Sequence, residues 1–522
     1  MSTEQPVAAA APSQIEEEGQ PLSDEPTYRS ILRATSIVGG GSLITILVGL
    51  ARAKGVALLI GPAGLGIIGL LTSVMTTATT VLGLGLASSS VRSVAAAVGD
   101  PAALGAIRRA LWRSNVLLGL VGLAALSLLS VPIARYVFGS GARAADVAWV
   151  SVGVLAALVA GAQMALLQGL RRTGDLARAS VTGAVVAAAA GLTLLAIFRS
   201  DGIRWFVIST PVATMGAAFW FTRSLRPVRG AAAPPGAAVW SQWRAMISLG
   251  WVLMVAGVAG GVVDLFVRSV LARHLGVDAA GQYQAASAIS IQYLGLILGA
   301  MAADYYPRLA QVADRPEAFR AAVNEQLEVA VLLAGPLLLA VLGLAPWVLT
   351  ALYSSDFRAG DDLLRGLVVA DVLKMATWTI GFALLARGRS AAFLALELTG
   401  QAVFAGATHL LVPRVGLVGV GAAFCLYLVW SVAIGWGGVR PWHGVSMHRR
   451  PAFYLAALLG AAILTAGASQ VSDGASAAVG LALSALAASF AIHRFREMDA
   501  MPSVAGRLSR LLSMVRRPPR PE

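Results

Sequence analysis

From Ile31 onward the chain is a succession of apolar runs, each about 20 residues or longer, separated by short breaks marked by charge, glycine or proline. About 20 apolar residues carry an α-helix across the hydrocarbon core of a bilayer, whereas a strand needs only about ten. Inside that core only helices and closed barrels satisfy every backbone polar group. The runs therefore narrow the fold to an all-α polytopic membrane protein. Composition agrees. Of the 522 residues, 57% are hydrophobic and 13% charged, against about 45–50% and about 25% in soluble domains. Disordered, collagenous, disulfide-rich and ordinary soluble enzyme classes are set aside.

The runs predict fourteen helices, at about 33–60, 64–92, 113–138, 146–170, 176–198, 204–223, 244–275, 280–304, 326–352, 361–387, 390–411, 415–440, 452–470 and 476–494. Residues 1–30 read as a disordered acidic cytoplasmic tail. Glu4, Glu16, Glu17, Glu18, Asp24 and Glu25 precede the first base, so the segment lacks the basic opening of a signal peptide. Residues 495–522 read as a basic cytoplasmic tail suited to an anionic lipid surface.

The net charge of +14 would suggest nucleic acid in a soluble protein. Here its distribution matters more than its total. With the amino terminus placed in the cytoplasm, 28 of the 40 lysines and arginines fall in cytoplasmic segments, eight in outer loops and four within helices. That asymmetry obeys the positive-inside rule. It predicts an even helix number, both termini cytoplasmic, a multi-pass protein of the cell (inner) membrane, and no nucleic-acid partner.

A weak internal repeat is present at an offset of 215 residues: Gly61 matches Gly276, Gly66 matches Gly281, and Pro101 matches Pro316. The offset spans six predicted helices, so both copies enter the membrane in the same direction. Parallel repeats of this kind form two pseudo-symmetric lobes around a central cavity. The expected organisation is an N-lobe at 31–223 (helices 1–6), a cytoplasmic linker at 224–243, a C-lobe at 244–440 (helices 7–12), and two extra C-terminal helices at 452–494.

Catalytic and metal signatures are missing. A Walker A loop needs lysine after glycine, and the only lysines, Lys54 and Lys374, follow Ala53 and Leu373. There is no G-x-S-x-G elbow and no H-E-x-x-H, and the five histidines are scattered. Cys425 is the sole cysteine, so no internal disulfide forms and the residue reads as a small buried apolar group. No catalytic residue, metal site or cofactor is expected.

Ionisable groups inside helices are costly, so they usually face a bundle interior or a wet cavity. Arg52 and Lys54 lie about 200° apart around helix 1. Arg52 reads as a cavity cation for an anionic ligand or as half of an ion pair; Lys54 reads the same two ways, or snorkels to the outer interface. Asp264 and Arg268 stand at i, i+4 on helix 7 and can pair on one face. They read as a self-neutralising bridge or as a pair opened by a competing phosphate. On helix 10, Asp371, Lys374 and Trp378 share a face. They could form a sugar-phosphate surface, with the ring on a sugar and the ammonium on a phosphate, or an internal ion pair beside a core tryptophan. Glu397 could partner Lys374 or carry a coupling proton.

The stretch Tyr28-Arg-Ser-Ile-Leu-Arg-Ala-Thr-Ser-Ile-Val-Gly-Gly-Gly-Ser, the pair Gly49-Leu-Ala-Arg-Ala-Lys and Leu59-Ile-Gly-Pro-Ala-Gly-Leu-Gly, and the later Ala370-Asp-Val-Leu-Lys, Ala386-Arg-Gly-Arg and Leu396-Glu resemble the O-antigen and enterobacterial common antigen flippases. These form part of the polysaccharide-transport branch of the multidrug, oligosaccharidyl-lipid and polysaccharide exporter superfamily. The resemblance runs from Tyr28 to Gly438 and leaves out helices 13 and 14. It implies a flippase, not an enzyme, that moves undecaprenyl-pyrophosphate-linked oligosaccharide units, as in O-antigen and lipopolysaccharide biosynthesis, from the cytoplasmic to the outer leaflet by alternating access. Polysaccharide polymerase and chain-length machinery are its implied partners alongside the lipid bilayer.

Arg52, Asp371, Lys374 and Glu397 fall on positions that match the family. Arg268 lies on a helix whose family cations vary in register, and Asp264 has no counterpart. The expectation is that Arg52, Arg268 and Lys374 hold the diphosphate while the isoprenoid tail stays in lipid. Two other readings stand beside it. A cation-coupled small-molecule or drug antiporter of the same superfamily predicts a deep protonatable acid and fewer cations. A membrane polysaccharide polymerase or ligase predicts large outer loops, and the longest here is about ten residues, between Tyr353 and Asp362.

Overall fold

The computed structural model describes residues 28–83, 85–223, 236–438 and 444–497. The acidic amino-terminal tail, the greater part of the 224–243 linker and nearly all of the basic carboxyl-terminal tail lie outside the described residues. Among those described there is no strand. The chain runs through α1 (Tyr28–Gly83), α2 (Leu86–Ala96), α3 (Pro101–Leu128), α4 (Ser130–Phe138), α5 (Ala144–Gly169), α6 (Thr173–Phe198), α7 (Gly202–Thr222) and α8 (Gly236–His274). It continues through α9 (Val277–Gln311), α10 (Pro316–Gly343), α11 (Ala345–Leu352), α12 (Asp361–Ala386), α13 (Ser390–Val415), α14 (Val418–Val432, extended by a π turn over Ala433–Gly438), α15 (Arg449–Ala468) and α16 (Asp473–Glu497).

Among the described residues, twelve helical stretches are long and apolar enough to cross a membrane. Two of them, Gly40–Gly83 with 44 residues and Thr173–Thr222 with 50, would measure about 66 and about 75 Å as straight helices, more than twice a core of about 30 Å. Each is broken near its middle. Gly61 sits at φ 60°, ψ −165° and is followed by Pro62, a backbone conformation that only glycine adopts without strain. Arg199 takes φ 51° between α6 and α7. Counting both stretches as two crossings gives fourteen, the number the apolar runs predict.

Several helices begin earlier than their apolar runs. α3 starts at Pro101 rather than 113, because the Asp100 carboxylate accepts from the backbone N–H of Ala102 at 2.9 Å and Ala103 at 3.0 Å and proline occupies the first helical position. α10 likewise starts at Pro316 rather than 326. Charged residues in the opening turns, Arg108, Arg109 and Arg113 of α3 and Glu317, Arg320 and Glu325 of α10, hide the helix from an apolar criterion without preventing it.

The repeat is visible in the backbone. Gly276, the counterpart of Gly61, has φ 90° and ψ 168° and separates α8 from α9 as Gly61 separates the halves of α1. Pro101 and Pro316 both occupy first-turn positions. The first half of α1 packs on α6, where Gly41 meets Ala177 and Gly55 meets Leu192. The second half runs along α8 in the opposite sense, Gly69 beside Arg268, Ser73 bonded to Asp264 and Thr77 to Gly261. α5 and α12, which the offset equates, are the most enclosed crossings: 72% of the most apolar stretch of each is buried, against 17% for α16.

α15 and α16 pack on α10 and on each other. Small residues let the backbones close, since a Cβ at Gly480 would lie 2.7 Å from Gly343 Cα. Ser484 donates at 2.7 Å to the carbonyl of Pro336, a proline inside α10. Ion pairs fix both ends of α16, Arg494 to Glu328 at 2.9 Å and Asp473 to Arg365 at 2.9 Å and Arg358 at 3.2 Å.

Candidate functional site

The four intramembrane cations point to different places. Arg52 leaves α1 toward α7. Its guanidinium donates to Thr210 Oγ1, to the Phe206 carbonyl at 3.0 Å and to Ser209 Oγ at 3.3 Å, with its carbon 4.0 Å from the centre of the Phe206 ring. Every one of these acceptors is neutral. No carboxylate among the described residues pairs with Arg52, and its Nε is buried without a hydrogen-bond partner. Its charge therefore stays uncompensated within the protein, a costly arrangement that an anion would relieve.

Lys54, two residues on, faces the other way, as the angular separation predicts. Its Nζ donates to the carbonyls of Thr350 and Ala351, both at 3.0 Å. These belong to the last turn of α11, where helical carbonyls lack an N–H partner and a cation is favoured. Lys54 thus ties the first copy of the repeat to the second. That contact answers the snorkelling alternative with a specific partner.

Arg268 is 8% exposed. Its Nε donates to Asp264 at 2.7 Å, another nitrogen donates to Gln284 Oε1, and the guanidinium lies 5.0 Å from the Tyr283 ring centre. Asp264 also accepts from Ser73 at 2.9 Å and from the Tyr283 hydroxyl at 3.4 Å. The pair is neutral at the junction of α1, α8 and α9, with Arg268 buried and the Asp264 side chain 37% exposed. Of its two sequence readings, the internal bridge is the one this arrangement presents.

Asp371 is fully buried. One carboxylate oxygen accepts from Ser290 Oγ at 2.6 Å and from the Tyr293 hydroxyl at 2.8 Å, both on α9; the other has no hydrogen-bond partner and lies 3.9 Å from Lys374 Nζ. At that separation the ammonium is attracted but not bonded. Lys374 remains 35% exposed along its side chain, 5.9 Å from the centre of the Phe424 ring. It keeps three donors for a ligand.

The Lys374 ammonium lies over the Phe424 ring, and Trp378 is engaged by other rings. Its ring stacks on Tyr305 at 5.5 Å and meets Phe382 edge-on at 5.0 Å, within an aromatic cluster between α9 and α12. One face is therefore covered before any sugar arrives. Glu397, half-buried on α13, forms no ion pair with Lys374 or any other described cation. That separation corrects the suggested Glu397–Lys374 partnership: the Lys374 ammonium is turned to Asp371 on its own helix.

Two cavities open near the second half of α1. One of about 270 Å³ is lined by Thr79, Thr80, Ser90, Asn115 and Met254; another of about 480 Å³ is apolar, lined by Val74, Leu126, Tyr136 and Leu265 among others. None of the four cations lines either. Sequence reading missed the neutral partners, Ser209, Thr210, Ser290, Tyr293 and Gln284. Ser290 and Tyr293 carried a usable signal, since their i, i+3 spacing on α9 matches that of Asp371 and Lys374 on α12.

The family described as polysaccharide biosynthesis protein matches residues 31–313. The lipid III flippase of Escherichia coli (strain K12) is 24% identical over 411 residues, covering 77% of this chain and 96% of that protein. Among solved structures, lipid II flippase MurJ in an inward closed conformation aligns with a TM-score of 0.64 at 11% identity, over 88% of this chain and 99% of that one. An inward-facing multidrug resistance MATE family transporter of the MOP superfamily aligns with a TM-score of 0.58 at 16% identity, over 79% and 95%. These likenesses show a shared fold.

Proposed function

Since the chain belongs to the polysaccharide biosynthesis protein family and is a multi-pass transporter rather than an enzyme, we propose that it is a flippase for an undecaprenyl-pyrophosphate-linked oligosaccharide. In this reading it carries a repeat unit of O-antigen or a related surface polysaccharide from the cytoplasmic to the outer leaflet of the inner membrane, with both termini cytoplasmic. The delivered unit passes to polymerase and chain-length machinery. The lipid III flippase relative, alike over nearly its whole length, supports the substrate class.

The observation that carries the proposal is Arg52, a half-buried guanidinium held only by neutral oxygens. A diphosphate supplies the missing negative charge, and charge-assisted hydrogen bonds to phosphate are the strong ones. Lys374 adds a second cation with donors to spare. Arg268, neutralised by Asp264, contributes only if the pair opens, and Lys54 only if its carbonyl contacts break. Trp378 offers a sugar its edge and remaining face. Asp371, with one oxygen unbonded, is the candidate for a coupling ion, and Glu397 stands second.

A strain lacking the protein tests the reading. It accumulates lipid-linked oligosaccharide on the cytoplasmic leaflet, wild type clears it, and Arg52→Ala, Arg268→Ala and Lys374→Ala are compared at equal protein level. Normal surface polysaccharide in all three variants would sink the proposal. A drug or small-molecule antiporter would instead leave the deletion strain's lipid-linked pool unchanged.

A further inference from the structure

Residues 444–448, which lead into α15, meet Arg320 of α10 and Arg387 of the turn between α12 and α13, with Arg389 two positions on. Arg320 in the first turns of α10 donates from Nε to the Gly444 carbonyl at 2.8 Å. Arg387, in the turn between α12 and α13, lies with its guanidinium 4.2 Å from the Phe319 ring centre, and a Cβ at Gly444 would sit 3.0 Å from one of its nitrogens. Gly444 has φ 66°, a conformation that favours glycine. Asn324 clamps the same connection, donating to the Ser446 carbonyl at 3.0 Å and accepting from the His448 N–H at 2.7 Å.

The cluster is short of negative charge. Among the described residues no carboxylate pairs with Arg320, Arg387 or Arg389, and the Nε of Arg387 is buried without a hydrogen-bond partner. Burial, then repulsion from Arg320 and Arg389, holds the Arg387 guanidinium below its usual pKa, with Asp314 the opposing charge. Arg320 and Arg387 both meet the strap, and Arg389 follows exposed in the same turn, beside the end of a membrane-crossing helix where lipid head groups lie. Arg387 is 13 positions beyond Lys374, about 20 Å along the helix, so this is a place apart from the transport cations.

We propose that Arg320, Arg387 and Arg389 form a phosphoryl-binding site for the head group of an anionic phospholipid, seated against the Gly444–His448 strap. Guanidiniums suit phosphate oxygens by geometry as well as charge. A lipid held there would bridge α10, the α12–α13 turn and the strap that leads into α15, coupling the appended helix pair to the C-terminal half of the bundle.

The full chain is reconstituted in nanodiscs of phosphatidylcholine with or without phosphatidylglycerol, and lipid retained after detergent extraction is counted by native mass spectrometry. Wild type should retain phosphatidylglycerol about tenfold over phosphatidylcholine, as expected for ligands sharing a charge-assisted site. The Arg320→Gln, Arg387→Gln, Arg389→Gln variant should lose the preference. A charge-matched control, Arg315→Gln, Arg449→Gln, Arg450→Gln, should keep it. In a second arm, thermal unfolding in lipid-free detergent with inorganic pyrophosphate distinguishes the sources: cluster-dependent protection by pyrophosphate assigns the same phosphoryl site to a soluble anion, and protection by phosphatidylglycerol alone assigns it to lipid. If neither probe gives an effect that depends on the cluster, or the control variant loses as much, the site is overturned. Transport by the variants is not the readout, so failure here leaves the flippase reading standing.

Discussion

Gly66 and Gly281, equivalent positions of the two repeats, lie directly against each other. A Cβ built on Gly66 would fall 2.8 Å from Gly281 N and overlap the Val277 carbonyl; one built on Gly281 would overlap the Pro62 carbonyl and fall 3.1 Å from Gly66 N. The two copies of the chain meet through bare backbone at this point, next to the turns at Gly61 and Gly276. Any side chain here must part them.

Gly66→Ala and Gly281→Ala should therefore each lower stability by about 1–3 kcal/mol, the range for overpacking a close contact. Thermal unfolding of the purified protein checks it. Equal midpoints for wild type and both variants would show that the repeats do not need to touch there.

Lys54 predicts a different outcome from the other cations. If its two carbonyl contacts latch α1 to α11, Lys54→Met opens that end. A cysteine placed at Ala351 in a Cys425→Ser background should then react roughly tenfold faster with a membrane-impermeant maleimide, since hydrogen bonds to a charged group contribute about 1.5–3 kcal/mol. An unchanged labelling rate together with lost substrate binding would return Lys54 to the substrate surface.

Arg365 is 5% exposed and bonds Asp361, Asp362 and Asp473 at 2.9–3.0 Å. Removing one partner from a buried charge network is expensive, because the remaining charge is stranded. Asp473→Asn should loosen the start of α16, and Glu328→Gln its end, where Arg494 docks. Hydrogen exchange over α16 should rise in either variant while exchange over α5 stays as in wild type.

Much of this architecture was legible in the sequence. Apolar runs gave the crossings, and the 215-residue offset picked out Gly61 and Gly276, which share a backbone conformation, and Gly66 and Gly281, which touch. The cations were also legible, because charge in an apolar run is conspicuous. Their partners were not. Arg52 bonds residues 154 to 158 positions away, and Lys54 residues 296 and 297 away. Those partners are hydroxyls and main-chain carbonyls, groups so common in any helix that they leave no mark in the sequence. The Asp264–Arg268 and Asp371–Lys374 pairs were foreseeable because helical spacing alone brings them together. The docking of α15 and α16 depends on glycines and on ion pairs between distant helices, Arg494 with Glu328 and Asp473 with Arg365, which no local pattern reveals.

Asp371→Asn separates a structural carboxylate from a coupling one. The amide oxygen can still accept from Ser290 and Tyr293, so the fold should survive. Ion-driven transport should fall by about tenfold or more, while exchange of substrate without a gradient continues. Loss of folded protein in the variant would assign Asp371 to structure instead.

The central claim is that two intramembrane cations, Arg52 without a carboxylate partner and Lys374 with donors to spare, carry a diphosphate. The direct measurement is the rate at which purified Arg52→Ala and Lys374→Ala, in proteoliposomes, turn over an undecaprenyl-pyrophosphate-linked oligosaccharide. Each rate should fall about tenfold or more below wild type, from the loss of a charge-assisted contact contributing about 1.5–3 kcal/mol. Wild-type rates in both variants, at equal reconstituted protein, would contradict it.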